Sequence, residues 1–423
     1  IEVLRGPQCT LFGKNASAGA VNIVSKRPGD TLGGYIEAGW FEDNEMRVKG
    51  SLDTPVSDTL KGRTTVTWGQ FDGYIKNISA TPAGGDLNGY DRMGIRSIWV
   101  ADPSDNVQLT FIGDYRKSDD NCCVEVIGTA PGTANGAALQ SLMSGVDFRG
   151  VETREVKQNL EMRSEEEAWG LSLQADITLG GGRTLTSITA YRTWDATEIR
   201  EGDWLDVAAA YVGNPFAQLH DYGPQDTKTF SQELRIASPG GEFIDYVAGL
   251  YYSKTDAHRF FERSVISCTA STLPVDSTGV RPCTPAASTI VSASSSADFG
   301  ADFENFALFT DGTVNFNDSF RGVIGLRWTQ DDLSYFHNRV PSPIGGLPGI
   351  RTDTTGYKGD DKSDNVSGRL GLQFDASDTV MLYATYAKGY KGPAFNVFFN
   401  MTASNKEVLD AETADSFEVG AKT

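Results

Sequence analysis

Long apolar runs are missing from this chain of 423 residues, in which no stretch of 18 consecutive apolar residues occurs. A transmembrane helix needs about 20 such residues, so we expect no helical span in this sequence and no surviving signal peptide. A membrane β-barrel is not excluded, because its strands alternate apolar side chains that face lipid with polar ones that face the lumen. The mean hydropathy of −0.30 therefore does not distinguish a soluble protein from a barrel.

Basic charge and histidine are also scarce. The 37 Lys and Arg residues face 56 Asp and Glu residues, which leaves a formal net charge of −19 and argues against nucleic-acid binding. The three histidines, His220, His258 and His337, belong to no Ser/His/Asp arrangement, G-x-S-x-G motif or cluster with metal-ligand spacing. We therefore predict neither an enzyme nor a resident metal cofactor.

Only five cysteines occur, and four of them lie in connections rich in Gly, Ser, Pro and Asp. Cys268 and Cys283 are close enough in sequence to close one connection by a disulfide, which suits an oxidising compartment. The neighbours Cys122 and Cys123 either bond to one another or pair elsewhere, and the sequence leaves this open. The spacing does not resemble zinc ligation by paired C-x-x-C motifs.

Alternation of apolar and polar residues with period two is the dominant pattern. Every second residue is apolar in Trp169–Leu179, and similar alternation recurs in Phe320–Trp328 and Val366–Phe374. These segments approach the length of about 9–11 residues that a tilted strand needs to cross a bilayer. The pattern predicts an all-β, antiparallel fold with about fourteen strands between Leu32 and Thr423.

Short and long connections alternate between these strands. Short polar turns are expected at Pro55–Thr59, Asp102–Asn106, Gly180–Gly182, Pro239–Glu242, Asn317–Ser319 and Asp375–Asp378. Long connections are expected at 71–90, 118–166, 200–226, 258–302, 333–363 and 391–413. An outer-membrane barrel has this arrangement, with brief turns on the periplasmic side and extended loops outside.

Residues 1–28, IEVLRGPQCTLFGKNASAGAVNIVSKRP, resemble the end of the plug domain of TonB-dependent outer-membrane receptors. The matching positions are Arg5, Gly6, Pro7, Leu11, Phe12, Gly13, Ala16, Gly19, Val21, Asn22, Ser25 and Lys26. Cys9 and Ala20 depart from the pattern, because glycine is usual at both positions. If the site of Cys9 requires a positive φ, its Cβ would cost about 1–2 kcal/mol.

Three later segments also resemble this family, namely GLRWTQDD (325–332), YATYAKGYKGPAFN (383–396) and ETADSFEVGAKT (412–423). The resemblance implies that residues 1–30 are the C-terminal part of a plug and that residues 31–423 belong to a transmembrane β-barrel. Plugged transporters have about 22 strands, so about 14 of them would be present, and both edges of the sheet would be unpaired. The missing strands, most of the plug and the TonB box would lie outside this chain.

The resemblance further implies a monomeric receptor in the outer membrane of a Gram-negative bacterium. Its partners would be TonB with the inner-membrane energising complex, and its preferred cargo a ferric siderophore, whose iron arrives already chelated. An oligosaccharide, cobalamin or another metal chelate is an alternative cargo. A passive porin-like channel or a soluble adhesin would be an alternative of another class.

Two sets of functional residues follow. Asn15, Asn22, Lys26 and Arg27 can hydrogen-bond into a polar lumen, and Arg5, Lys26 and Arg27 are candidates for weak ion pairs with Glu233, Glu412 or Glu418. Ligand contacts are expected from loop residues, because aromatic faces stack on rings and guanidinium groups pair with anionic chelates. The loop candidates are Trp204, Tyr211, Tyr222, Arg259, Phe260, Tyr335, Arg339 and Phe395.

Overall fold

The fold is all-β, and the structure, a computed structural model, describes residues 1–80, 84–129, 140, 142–206, 218–267, 291–342 and 351–423. Its strands are β1 (Glu2–Arg5), β2 (Gly19–Asn22), β3 (Gly33–Trp40), β4 (Met46–Ser57), β5 (Leu60–Phe71), β6 (Ile75–Asn77), β7 (Gly85–Leu87), β8 (Tyr90–Ser104), β9 (Val107–Asp120), β10 (Glu155–Val156), β11 (Arg163–Thr178), β12 (Thr184–Glu201), β13 (Gln218–Ala237), β14 (Ile244–Ser267), β15 (Val291–Asn317), β16 (Phe320–Val340), β17 (Thr355–Ser377), β18 (Val380–Lys391), β19 (Ala394–Phe395), β20 (Val408–Leu409) and β21 (Glu412–Lys422). Helical turns are α1 (Cys9–Phe12) and the 3-10 turns Glu42–Asn44, Gly150–Glu152, Gly180–Gly182 and Ala403–Asn405.

One large sheet forms the wall of the barrel. In the described residues it has fourteen antiparallel strands, in the order β3-β4-β5-β8-β9-β11-β12-β13-β14-β15-β16-β17-β18-β21. Each strand pairs with its neighbours along the chain, as in hairpins joined end to end. The predicted number of strands is confirmed, and β3 and β21 are the two edges of the sheet.

The hairpin connections differ between the two ends of the wall. At the end that we call the turn end, the strands are joined by short turns at 58–59, 105–106, 179–183, 238–243, 318–319 and 378–379. At the opposite end, the loop end, most connections are long, and only β3 and β4 are joined there by a short turn around Glu42–Asn44. The predicted alternation of short and long connections is therefore confirmed.

The outer face of the wall is apolar and exposed. On β16 the even-numbered residues Ile324 and Leu326 are 46% and 50% exposed, whereas the odd-numbered residues Arg327 and Thr329 are buried on the inner face. An exposed apolar face is expected of strands that contact lipid.

Two rows of aromatic rings border this apolar band. The row nearer the loop end contains the pairs Trp169–Tyr191, Phe230–Tyr252, Phe306–Trp328 and Tyr386–Phe417, with ring centroids 4.9–6.4 Å apart. Phe316 and Phe320 stack at 5.5 Å near the turn end. The eight residue steps from Phe320 to Trp328 rise about 20 Å along the barrel axis at the usual tilt of about 40°. The rows thus mark the two interfaces of a membrane.

The central strands continue beyond the aromatic row nearer the loop end, which we call the upper aromatic row. β14 continues past Tyr252 as far as Ser267. Its outward residue Lys254 pairs with Glu304 of β15, and His258 lies 3.4 Å from Asp226 of β13 and 2.5 Å from Asp298 of β15. The expectation of long loops at 218–226, 258–267, 291–302, 333–340 and 355–363 was therefore wrong. Both faces of these segments carry polar side chains, so the sequence shows little apolar alternation there, although backbone pairing holds them as strands.

The described parts of residues 72–89, 121–162 and 202–206, which we call the cap, fold together at the loop end. They contain a small sheet in the order β10-β6-β7 and two apolar clusters. One cluster consists of Ile75, Leu87, Val124, Val156 and Met162, and the other is built around Met143, Val146 and Leu205. Cys122 and Cys123 are bonded to one another in the cap, whereas Cys268 and Cys283 lie outside the described residues.

Among the described residues, no helix combines the length and the apolar character needed to cross a membrane.

Candidate functional site

The N-terminal segment (residues 1–32) lies on the inner face of the wall. β1 and β2 form a hairpin, and α1 contacts β15, β16, β17 and β18. Two glycines permit this path: Gly13 ends α1 with a φ of +85°, and a Cβ on Gly19 would lie 2.5 Å from the carbonyl oxygen of Leu4. The segment thus packs on the polar face opposite the lipid-facing one.

The strongest attachment of this segment is centred on Asp331 of β16. The carboxylate is fully buried and forms an ion pair with Lys14. It also accepts hydrogen bonds from Tyr390 Oη at 2.9 Å and from Asn305 Nδ2 at 2.8 Å. A buried carboxylate is stable when it is paired and hydrogen-bonded in this way. One side chain therefore joins the N-terminal segment to three strands.

A second set of contacts lies along β18. The backbone N–H of Tyr390 donates to Cys9 Sγ at 3.3 Å, and the N–H of Asn15 donates to the carbonyl of Tyr390 at 2.8 Å. The N–H of Gly392 donates to Asn15 Oδ1 at 3.2 Å. Cys9 is the first residue of α1 and does not have a positive φ, so the expected backbone strain at this position is absent.

The predicted ion pairs of Arg5, Lys26 and Arg27 are not found among the described residues. Their proposed partners bind elsewhere: Glu233 pairs with Arg235, Glu412 with Lys391, and Glu418 accepts from Tyr383. Arg27 instead donates to Gln108 at 3.1 Å. The ion pairs that do hold the segment, Lys14–Asp331 and Asp30–Lys61, were not predicted.

The remaining motif residues contribute to packing and turns. Gly6 lies next to Ser416, Pro7 and Ala16 are buried, and the Asn22 amide donates to Glu2 at 2.9 Å within the hairpin. Arg5 is exposed.

A cavity of about 1080 Å³ lies on the inner face of the wall between β3 and β9, beside Lys26. Its charged lining residues are seven basic ones, Lys26, Arg47, Lys49, Arg63, Arg92, Arg96 and Arg116, and two acidic ones, Glu37 and Asp114. Arg96 pairs with Asp114 at 2.9 Å, and Arg92 pairs with Asp120. A basic lining is unexpected in a chain with a net charge of −19. Arg47, Arg63 and Arg116 also pair with carboxylates, those of Glu45, Asp53 and Glu166. The lining is thus rich in guanidinium groups, and each of its five arginines has an acidic partner.

Near the loop end, residues 392–411, which we call the mouth segment, cover the inner face of β14, β16 and β17. The rings of Phe395 and Tyr335 are 4.6 Å apart, and those of Phe399 and Phe261 are 4.3 Å apart. The buried guanidinium of Arg339 donates to the carbonyl oxygens of Phe399 at 3.2 Å and Met401 at 2.6 Å. Aromatic and cationic groups thus line the entrance to the lumen.

The TonB dependent receptor-like β-barrel family model matches residues 141–423. The chain belongs to this family. Over its whole length it is 25% identical to the pesticin receptor of Yersinia enterocolitica, across 434 residues that make up 53% of that protein. It thus spans about half the length of the curated relatives it matches.

Solved structures share the fold of this TonB-dependent receptor chain. The ferric yersiniabactin uptake receptor FyuA of Yersinia pestis matches with a TM-score of 0.72 at 21% identity, covering 99% of this chain and 56% of that one. The siderophore receptor PiuA of Acinetobacter baumannii gives a TM-score of 0.65 at 16% identity, covering 99% and 58%. The family places the receptor in the outer membrane, and these structures share its antiparallel β-barrel fold.

The receptor brings some predicted ligand residues together and separates others. Tyr335, Arg339 and Phe395 meet under the mouth segment, and Arg259 lies on the same inner face, 3.6 Å from Glu198. All of the described candidates except Trp204 are on strands rather than in loops, Phe395 on the two-residue strand β19, which corrects that part of the prediction.

Two of the candidates face away from the lumen. Tyr222 and Phe260 lie on the outward face of β13 and β14, because they alternate with the inward residues Asp221 and Phe261. Trp204 lies in the cap, and Tyr211 falls outside the described residues.

The sequence analysis did not predict the basic residues of the lumen, although their spacing along the strands indicates that they share a face. Arg92 and Arg96 are four residues apart on one strand, as Arg47 and Lys49 are two apart on another, so each pair shares a face. Period-two alternation of basic residues could have placed them in the lumen.

Proposed function

We propose that this receptor chain serves in the import of a ferric siderophore across the outer membrane, energised by TonB. The observation that carries the proposal is the cavity inside the wall, whose lining brings together five arginines and two lysines in a chain with a net charge of −19. Many iron chelates are anionic, and guanidinium groups bind carboxylate-like oxygens through two parallel hydrogen bonds. The names of relatives, which include a ferric yersiniabactin uptake receptor and a siderophore receptor, support the same cargo.

The entrance suits a ligand with rings. Tyr335, Phe395, Phe261 and Phe399 form two close ring pairs, and Arg263 lies 5.9 Å from the centre of the Phe399 ring. A ligand that separated these pairs would gain aromatic stacking and cation–π contacts in exchange. Iron enters in this scheme as part of the chelate, so the chain itself supplies no metal ligands to it.

Passage is conditional on movement of the N-terminal segment. The Asp331 contacts, the hydrogen bonds to Tyr390 and the Asp30–Lys61 pair hold that segment against the wall. These contacts are few and polar, so a pulling force transmitted by TonB can break them without disturbing strand pairing. Uptake can then proceed against a concentration gradient, which distinguishes the proposal from a passive porin.

The test is uptake of ⁵⁵Fe-siderophores by a strain with the gene deleted and then restored at its own locus with its full reading frame. We expect Arg96→Ala to raise the half-saturating concentration about tenfold, since one charge-assisted contact stabilises by about 1.5–3 kcal/mol. Arg183→Ala is the matched control, because Arg183 is exposed in a turn at the turn end.

The outcomes separate the alternatives. Loss of iron uptake in the deletion strain and in a tonB deletion strain supports the proposal. Uptake that persists without TonB indicates a porin. Normal growth on every iron source, combined with poor growth on an oligosaccharide or cobalamin panel, contradicts the siderophore assignment.

A further inference from the structure

We propose that Glu201, Asp203 and His220 bind a divalent transition-metal ion that fastens the cap to the wall. Each residue offers one ligand atom, and these atoms all lie within 4.8 Å of one another. Glu201 ends β12, and His220 is its register partner in β13, with Glu201 Oε2 3.5 Å from His220 Nε2. Carboxylate oxygens and imidazole nitrogens are both ligands of Zn²⁺.

A buried amide points at the same place. Asn159 is 2% exposed, and its Oδ1 lies 3.3 Å from His220 Nε2. Its Nδ2, like the Oε1 of the fully buried Gln158, has no hydrogen-bond partner among the described residues. One imidazole nitrogen cannot donate a single proton well to both Asn159 Oδ1 and Glu201 Oε2. A cation between the three atoms would accept a lone pair from each of them.

The carboxylates are already oriented by backbone N–H groups. Glu201 accepts from the N–H of Leu160 at 3.3 Å and of Asp203 at 3.2 Å. Asp203 accepts from Leu205 at 3.1 Å and from Leu219 at 2.5 Å. Such contacts hold ligands in place and leave lone pairs for an ion. A metal would therefore enter a site whose ligands need little reorganisation.

Electrostatics favour a cation here. Both acids lie at the loop end, beyond the aromatic row nearer that end, and Glu201 is fully buried. The buried carboxylate of Glu201 and the half-buried one of Asp203 share this place with one imidazole. A divalent ion would offset the cost of removing their charges from water.

The identity of the ion follows from the donor atoms. Calcium prefers six to eight oxygen ligands, whereas imidazole nitrogen favours first-row transition metals. Asn159 and Asp203 both belong to the cap. Leu205, two residues after Asp203, is part of the second apolar cluster of the cap. An ion at this site would therefore join the cap to the rim formed by β12 and β13.

The experiment uses the receptor purified from outer membranes as the cell makes it, treated with a chelator and then titrated with ZnCl₂. We expect one zinc ion per chain, and slower cleavage within the cap when external protease is added to the zinc-loaded protein. Glu201→Gln and His220→Gln should each weaken zinc binding at least tenfold. Glu152→Gln in the exposed part of the cap and His258→Gln on the outer face should not change it.

Asn159→Asp provides a test that does not depend on removing a ligand. Adding a charge next to His220 should tighten zinc binding at least threefold, provided that heat-modifiable migration shows a folded barrel. The proposal is overturned by the absence of saturable zinc binding, by binding that is equal in Glu201→Gln, His220→Gln and wild type, or by calcium binding without zinc binding.

Discussion

The ion pair between Lys14 and Asp331 leads to the sharpest prediction for the N-terminal segment. Replacing Asp331 by Asn keeps the size of the side chain and one carbonyl oxygen but removes the negative charge. Asn305 donates to Oδ1 and Tyr390 to Oδ2 of Asp331, so one of these two donors keeps its acceptor in the variant. Lys14, whose side chain is only 23% exposed, loses its counter-ion. We therefore expect the variant to weaken the attachment of the segment without changing strand pairing.

The size of the effect follows from the kind of contact. A hydrogen bond to a charged partner stabilises by about 1.5–3 kcal/mol, and partial access of water to Lys14 favours the lower half of that range. A loss of about 2 kcal/mol corresponds to a roughly 30-fold larger population in which the segment has left the wall.

The reactivity of the Cys9 thiol measures how often the N-terminal segment leaves the wall. Its side chain is 2% exposed and lies against the backbone of Tyr390, so a thiol reagent reaches it only when α1 moves away from β18. We expect labelling of the peptide that carries Cys9, followed by mass spectrometry, to be about 30-fold faster in Asp331→Asn. Cys9→Ser defines the background.

Two comparisons decide whether the reasoning holds. Asp332→Asn is the matched control, because Asp332 is the next residue of β16, faces outward and pairs with Lys362 at 3.5 Å. Lys14→Met should accelerate labelling as much as Asp331→Asn, and the double variant should add little to either change. Equal labelling of wild type and Asp331→Asn would refute the assignment, and so would fully additive effects.

Three further predictions concern other parts of the receptor. A Cβ on Gly389 would lie 2.9 Å from Ser17 Cβ, so Gly389→Ala should displace the N-terminal segment at a cost of about 1–3 kcal/mol and accelerate the same labelling about tenfold. Arg339→Met removes the donor to two carbonyls of the mouth segment, which should speed its cleavage by external protease about 10- to 100-fold. Ile324→Arg places a charge between the aromatic rows, which should destabilise the barrel by about 2–4 kcal/mol and lower the temperature at which its folded form is lost in electrophoresis.

Each of these changes has a neighbouring control. Gly180→Ala adds a Cβ in a turn where nothing lies within 4 Å, and labelling should not change. Lys358→Ala alters an exposed side chain on β17 and should leave proteolysis unaffected. Asp332→Arg introduces charge above the lipid-facing band and should cost little. Controls that behave like the test variants would show that the effects are not site-specific.

The fold could be predicted from the sequence to a large extent because its signals are local. Period-two alternation in Trp169–Leu179 and Phe320–Trp328 reflects one face in lipid and one in the lumen. The polar turns at Gly180–Gly182 and Asn317–Ser319 lie where the strands reverse. Strand extensions beyond the upper aromatic row escaped prediction, because neither of their faces contacts lipid.

The contacts of the N-terminal segment and the ligand-binding residues were predicted less well than the fold, because they depend on parts of the chain that are distant in sequence. Lys14 and Asp331 are 317 residues apart, and no local pattern pairs them. Alternation on β16 could have indicated that Asp331 faces inward and Asp332 outward, but not which side chain Asp331 meets. Tyr222 and Phe260 were selected for their residue type, and only strand register shows that they face outward.

What the sequence determined by itself was the number of strands, the alternation of turns and loops, and the family motif in residues 1–28. These depend on neighbours in the chain, since side-chain alternation and turn chemistry are properties of a few consecutive residues. Only the tertiary structure decided that basic residues from β4, β5, β8 and β9 line one cavity and that Glu201, Asp203, His220 and Asn159 converge. Those arrangements depend on how hairpins register and curve around the N-terminal segment, which is settled by contacts between residues far apart in the chain.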